Sequence, residues 1–214
     1  MKSFLIIGLG SFGHHLCHAL AQQRCEIMVV DKVSEALEDV LPYVVSAKVG
    51  DCTNEDVLRS FSVDNFDACF VCMGSNVLAS LQITSLLKEL GAKRVFSKAD
   101  DDTQAKFLLR NGADEVIYPE REVASNIAVS ASSDNIFDCI RLNADYSIYE
   151  LQPLKRWLGK SLKELNFRVK YNMTVIAVVK DDVIRPNLHP DYTFKKDEHL
   201  LVLGRSEDIQ RIIR

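Results

Sequence analysis

The chain has 214 residues, 47% of them hydrophobic, and a formal charge of −4 from 26 Lys+Arg against 30 Asp+Glu. This is enough to bury a good core, in one large domain or two small ones, and the negative balance offers no general attraction to nucleic acid or an anionic membrane surface. No apolar run approaches the ~20 residues that span a bilayer, and Met1-Lys2-Ser3 leads straight into a core strand with no room for a signal peptide, so a cytoplasmic protein is expected.

The first element is a buried-strand run, Phe4-Leu-Ile-Ile, followed by Gly8-x-Gly10-x-x-Gly13. A strand that turns directly into a helix presents free amide N–H groups and a positive helix end to a phosphate. Gly8 makes the tight turn, Gly10 lets the backbone approach a pyrophosphate, and Gly13 lets the helix pack closely on its strand. Ser11 to Gln23 carries Phe12, Leu16, Ala19 and Leu20 at the spacing of one helix face. His14 and His18 lie four apart on that helix and read as part of its polar face, with no third metal ligand in view. Glu26-Ile-Met-Val-Val-Asp31 is a second strand ending in a carboxylate, the ribose clamp that favours NAD or an adenine nucleotide over NADP.

Strands follow at Val44–Val49, Ala68–Met73, Arg94–Ser97 and Glu115–Tyr118, separated by helices over Asp56–Ser60, Val77–Leu90 and Thr103–Asn111. Gly91 and Gly112 stand where helix C-terminal glycines belong. Strands alternating with helices imply an α/β fold, a Rossmann-like doubly wound parallel sheet of order 3-2-1-4-5-6, ending near Pro119. Residues 120–143 read as a mostly helical connector. Its apolar positions Val123, Ile127, Ala128, Ala131, Ile136, Phe137 and Ile140 pack either on a second subunit or back on their own domain. Residues 144–214 form a small α+β unit with strands at Ser147–Leu151, Thr174–Val179 and His199–Leu203. A capping box opens at Ser161 with Glu164, and a closing helix runs over Ser206–Ile213. The six cysteines lie mostly in apolar segments, and Cys69-x-x-Cys72 would point to opposite faces of a strand, so neither metal nor disulfide chemistry is expected of it.

In order and spacing the chain resembles the RCK (regulator of potassium conductance) proteins, specifically the cytosolic subunits of bacterial Ktr and Trk potassium transporters. The resemblance covers the whole chain. It rests on Gly8-Leu-Gly-Ser-Phe-Gly13, Asp31, Gly50-Asp-Cys-Thr53, Met73-Gly-Ser-Asn76, Ser97-Lys-Ala99, Asn111-Gly-Ala-Asp114 and Tyr118-Pro-Glu120. In the C-terminal block it adds Gly159-Lys-Ser-Leu-x-x-Leu165 and Asp197-x-x-Leu-x-Val-x-Gly204. It implies a regulatory protein rather than an enzyme: a homodimer assembling into a ring, an octamer in the Ktr case, beneath a membrane potassium-translocating subunit. ATP, ADP, NADH or NAD would occupy the Rossmann cleft.

Residue by residue, the resemblance puts Gly8, Gly10, Ser11, Phe12 and Gly13 at the phosphates and Asp31, with Lys32 beside it, at the ribose. Asp51, Cys52 and Thr53 would border the adenine; Met73, Gly74, Ser75 and Asn76 would line the facing crevice; Lys98 would supply a cation toward the phosphates. Thr53 as a helix cap before Asp56, turn chemistry at Asp51 and a solvated Lys98 are the plainer alternatives, and Asp100, Asp101 and Asp102 would partly neutralise that lysine. Glu120 resembles the glutamate that, with its mate across a dimer, holds a divalent cation. In Ktr-type members an arginine commonly follows the second motif glycine, and here it is Ser11, which leaves the choice between ATP/ADP and NAD(H) open. In some relatives the C-terminal domain binds cyclic di-AMP, and Arg168, Pro186 and Asn187 are of the residue types such a pocket uses.

Two other functions use the same cleft. A small NAD-dependent oxidoreductase would need a positioned acid or base, for which the C-terminal block offers only His189 and His199 as imidazoles. A redox-sensing regulator would need a DNA-binding partner domain, and no basic recognition helix is visible.

Overall fold

The alternation of β-branched runs with amphipathic segments resolves into two units, Met1–Pro119 and Glu120–Arg214. The computed structural model describes residues 1–143 and 145–213, so the predicted boundary at residue 144 lies outside the described residues.

In the first unit six strands form one parallel sheet: β1 (Ser3–Ile7), β2 (Glu26–Asp31), β3 (Ser46–Val49), β4 (Ala68–Val71), β5 (Val95–Lys98) and β6 (Glu115–Ile117). Their order is β3-β2-β1-β4-β5-β6, the doubly wound order predicted. Ile6 of β1 stands beside Val29 of β2 and Phe70 of β4, so β1 is the central strand at which the winding direction reverses. Both faces of the middle of this sheet are covered, which is why β1, β2 and β4 are apolar runs and not alternating ones. Leu5, Ile7, Val30, Cys69 and Val71 enter one core with Ile83 and Leu87, while Ile6, Ile27, Val29, Phe70 and Cys72 enter the other with Cys17. The helices supplying these covers are α1 (Ser11–Ala21), α2 (Glu35–Glu38), α3 (Glu55–Arg59), α4 (Val77–Glu89) and α5 (Asp102–Arg110). α4 and α5 each stop at a glycine of positive φ, Gly91 at +85° and Gly112 at +105°. The next amides, of Ala92 and Ala113, reach back to Leu87 and Leu108, closing both helices with a left-handed turn.

The second unit opens with α6 (Pro119–Ala131) and continues through β7 (Ile136–Arg141), β8 (Tyr146–Leu151), α7 (Leu162–Leu165), α8 (Phe167–Lys170), β9 (Met173–Lys180), β10 (Val183–Pro186), β11 (His199–Arg205) and α9 (Ser206–Ile213). Its sheet has the order β10-β9-β11-β8-β7, with every pairing antiparallel. The core is aromatic: Trp157, Phe167 and Phe194 are buried together, and the Trp157 indole N–H donates to the Tyr171 hydroxyl at 3.0 Å. The predicted capping box is present, with Ser161 N–H donating to Glu164 Oε2 at 2.6 Å and Glu164 N–H donating to Ser161 Oγ at 3.2 Å.

Residues 120–143 are not helical throughout. The helix ends at Ala131, and Ile136–Arg141 pairs with β8. A β-bulge between Ile136 and Asp138 places Ile136 and Cys139 on the buried side three residues apart, a spacing that in sequence imitates a helix. Strand β10 was not predicted. It follows a hairpin turn at Asp181 and Asp182, both at positive φ (50° and 59°), the backbone that a two-residue type I′ connection requires.

Candidate functional site

The crevice lies beyond the C-terminal ends of β1 and β4, flanked by the loop after β2, the position at which doubly wound sheets bind ligands. Its first wall is the β1–α1 turn. Gly8 has φ +91°, and a Cβ there would approach Met73 Cγ to 2.8 Å. A Cβ on Gly13 would stand 2.1 Å from the Gly8 carbonyl oxygen, so only glycine lets α1 start so close to its strand. Gly10 differs: nothing lies within 4 Å of its would-be Cβ. It precedes α1 with no side-chain cap and no acidic residue in the first turn, leaving the early amides to an incoming anion. Ser11, exposed, is the first residue of α1, and Phe12 packs half-buried against the core behind it.

Asp31 ends β2 and is held by two backbone amides, Leu9 N–H donating to Oδ2 at 2.6 Å and Val33 N–H donating to Oδ1 at 2.9 Å. The carboxylate thereby ties the glycine turn to the end of β2, and each oxygen keeps a lone pair for a ribose hydroxyl. Beside it, Lys32 Nζ lies 2.9 Å from Asp51 Oδ2. Asp51 Oδ1 accepts from both the N–H (2.9 Å) and the hydroxyl (2.6 Å) of Thr53, the side-chain-to-backbone turn that aspartate favours. The Thr53 and Lys32 hydrogen bonds hold the Asp51 carboxyl down at about 2. The helix cap predicted at Thr53 belongs instead to Asn54, whose side chain accepts from Asp56 N–H at 3.0 Å. Cys52 is buried, and burial pushes its thiol up to about 12, so it can offer a wall but no nucleophile.

The opposite wall is the loop Met73–Asn76 with the end of β5. Asn76 caps α4 through Ala79 N–H at 3.1 Å, Ser75 is exposed, and Met73 packs against the core. Gly74 is buried, and a Cβ there would fall 1.9 Å from Asp100 Oδ1. Lys98 Nζ is 2.6 Å from the same oxygen. Gln104, 1% exposed, donates from Nε2 to the Gly74 carbonyl at 3.1 Å and accepts the Asp100 N–H at 2.8 Å, stitching the loops after β4 and β5 together. Asp100 is one of the aspartates expected to neutralise Lys98 in part, whereas nothing in the sequence pattern points to Gln104 itself. The nearest signal is Asp101, which caps α5 through Gln104 N–H at 2.7 Å and so fixes where the helix begins, with Gln104 in its first turn.

The remaining predicted residues stand within their own units. Glu120 is exposed in the first turn of α6 and belongs to the second unit. Among the described residues no group of three or more His, Cys, Asp and Glu is placed to hold a metal. His14 and His18 lie side by side on α1 with ring centroids 4.9 Å apart and their planes tilted by 53°. Cys69 and Cys72 are buried in different cores, both thiols pushed up to about 12 by burial. In the second unit His199 bonds Glu150 at 2.7 Å and stacks on Phe137, while His189 is exposed. Arg168 lines a cavity of about 540 Å³ with Leu162, Lys163, Asn166, Phe167 and Pro190; Pro186 ends β10, exposed, and Asn187 follows at φ +61°.

The first unit fits a phosphate-bearing nucleotide by its own geometry: an open approach over Gly10, close packing at Gly8 and Gly13, and a fixed carboxylate at Asp31. These features define a dinucleotide-type binding fold. Residues 4–119 match the TrkA-N domain family and residues 147–214 the TrkA-C domain family, so the chain belongs to the TrkA-N domain family, with a TrkA-C domain following. It is 33% identical to Ktr system potassium uptake protein C of Bacillus subtilis (strain 168) over 210 residues, covering 98% of this chain and 95% of the relative. It is 34% identical to Ktr system potassium uptake protein A of the same organism, with the same coverage. Among solved structures, the GsuK channel superposes with a TM-score of 0.69 at 14% identity, and the GsuK channel bound to NAD with 0.68 at 14%. This chain covers 99% and 97% of its own length in the two superpositions but spans only 38% of those channel chains, a likeness of fold. Among the described residues no helix is long and apolar enough to cross a membrane.

Proposed function

We propose that this chain is a nucleotide-sensing gating subunit of a potassium uptake system, acting through a membrane potassium-translocating partner. The observation that carries the reading is the crevice at the β1/β4 switch point, with its glycine turn and Asp31, in a chain that matches two Ktr potassium uptake proteins along nearly its whole length. The names of those relatives point away from enzyme chemistry. Gly8, Gly10, Ser11, Phe12 and Gly13 would hold the phosphates, Asp31 and Lys32 the ribose side, Asp51, Cys52 and Thr53 the adenine, with Met73, Gly74, Ser75, Asn76 and Lys98 facing them. The ligand is ATP, ADP or NAD(H). It supplies charge and shape, and the protein's output is conformational.

A ligand biases a two-state assembly only by its difference in affinity for the two states, so the sensor needs an assembly with two arrangements. α6 has no fully buried residue, and Val123 and Ile127 are 56% and 60% exposed, an apolar stripe suited to a second copy of the chain. We assign it to a homodimer that builds the ring, an octamer. A divalent cation at Glu120 would then draw its protein ligands from two copies of that glutamate. The cavity at Arg168 and Lys163 is the place we assign to cyclic di-AMP, on its size and its two cations.

Light scattering on the eluting protein, with ATP, ADP, NADH and NAD added separately, tests this. The reading predicts an oligomer whose mass or hydrodynamic radius depends on which nucleotide is present. A strict monomer indifferent to all four would sink it.

A further inference from the structure

Both lysines of the crevice named above carry an aspartate partner: Lys32 with Asp51 at 2.9 Å and Lys98 with Asp100 at 2.6 Å. The second pair differs in where the carboxylate sits. Asp100 fills the space directly over Gly74, its Oδ1, Cγ and Oδ2 lying 1.9, 2.3 and 2.4 Å from the position a Cβ would take. The Lys98 side chain is only 11% exposed, whereas that of Asp100 is 40% exposed and has open solvent on one side. The backbone under Asp100 is pinned, because its N–H donates to Gln104 Oε1, and Gln104 is itself fixed by Asp101 and by the Gly74 carbonyl. The Asp100 side chain can therefore rotate away by its own torsions while both loops keep their course.

We propose that Asp100 is a built-in competitor for the nucleotide phosphates: its carboxylate occupies Lys98 and the space above Gly74 until a sufficiently charged ligand displaces it. The inference rests on the nucleotide reading of the crevice. Displacement exchanges one anion for another at Lys98, so the net gain depends on how much negative charge the incoming group brings. A triphosphate brings more than the pyrophosphate bridge of a dinucleotide. Asp100 thus weighs most against a triphosphate, which must displace it, and least against a dinucleotide bridge that leaves the Lys98 pair in place, and so biases the choice that Ser11, with no guanidinium to offer, leaves unmade. Asp100 is a specificity-determining residue in this account and touches no reacting atom.

The test is titration calorimetry of the full chain with ATP, ADP and NADH, for the wild type, Asp100→Asn and Gly74→Ala. Asp100→Asn removes the charge and keeps the shape and the backbone bond to Gln104. It is expected to tighten ATP binding about fivefold, the scale of one partly exposed ion pair, and NADH binding less than about twofold. Gly74→Ala puts a methyl where the carboxylate lies and forces it out, so it should shift the ATP-to-NADH preference in the same direction while overall affinity falls. Unchanged or weaker ATP binding by Asp100→Asn, or an equal gain for all three ligands, overturns the inference while the crevice reading stands. Wild-type protein that binds none of the three overturns both.

Discussion

The three glycines of the β1–α1 turn share a motif but answer to different constraints. Gly13 faces backbone, with the Gly8 oxygen 2.1 Å from where a Cβ would be, whereas Gly10 faces open space. Gly13→Ala should therefore destabilise the first unit by about 1–3 kcal/mol, the range of overpacking against atoms that cannot retreat. Gly10→Ala should leave stability within about 0.5 kcal/mol of wild type and weaken nucleotide binding, because its methyl stands where the phosphates approach. Urea denaturation followed by circular dichroism, beside a nucleotide titration of each variant, separates the two. Equal destabilisation by both substitutions would contradict these roles. Three cysteines are inert by position: burial raises the thiols of Cys52, Cys69 and Cys72 to about 12, which removes the thiolate that redox or metal chemistry needs.

Elements were legible in the sequence where one periodicity ruled them. β1, β2, β4 and the ends of α4 and α5 could be read because doubly covered strands are continuous apolar runs and a glycine marks each helix end. β7 was misread as helix because its bulge turns a two-residue alternation into a three-residue spacing at Ile136 and Cys139. β10 was missed because all four of its residues are exposed, so no buried face left a pattern. Within the crevice, the glycines and Asp31 were readable from spacing alone, while the Asp100–Gln104 stitch depends on two loops meeting in space. The hairpin between β9 and β10 offers a test at this scale. Asp181 and Asp182 both sit at positive φ, where glycine suffers no side-chain strain. Asp182→Gly should stabilise the second unit by about 0.5–1 kcal/mol. Trp157, the single tryptophan of the chain, is fully buried in that unit's core, so its emission during denaturation reports the change directly. A lowered midpoint would mean that the Asp182 side chain does something in the turn beyond filling it.

At the scale of the molecule, the chain is two units with separate cores: one a nucleotide-type crevice, the other an antiparallel sheet around Trp157 with a cavity at Arg168. A sensor with this layout needs a ligand in the first unit before anything can be transmitted, so the central claim stands or falls on occupancy of the crevice. Asp31 is the residue to remove, since its carboxylate both offers itself to ribose and anchors Leu9 and Val33. Losing those two amide contacts costs the fold about 1–3 kcal/mol, within what a domain of this size tolerates. The decisive measurement is calorimetric titration of ATP, ADP, NADH and NAD into wild-type protein and into Asp31→Ala protein shown by circular dichroism to be folded. The account predicts saturable binding of at least one nucleotide by the wild type and its loss, or a weakening of tenfold or more (about 1.4 kcal/mol), in the variant. Equal affinity in the two proteins would contradict it.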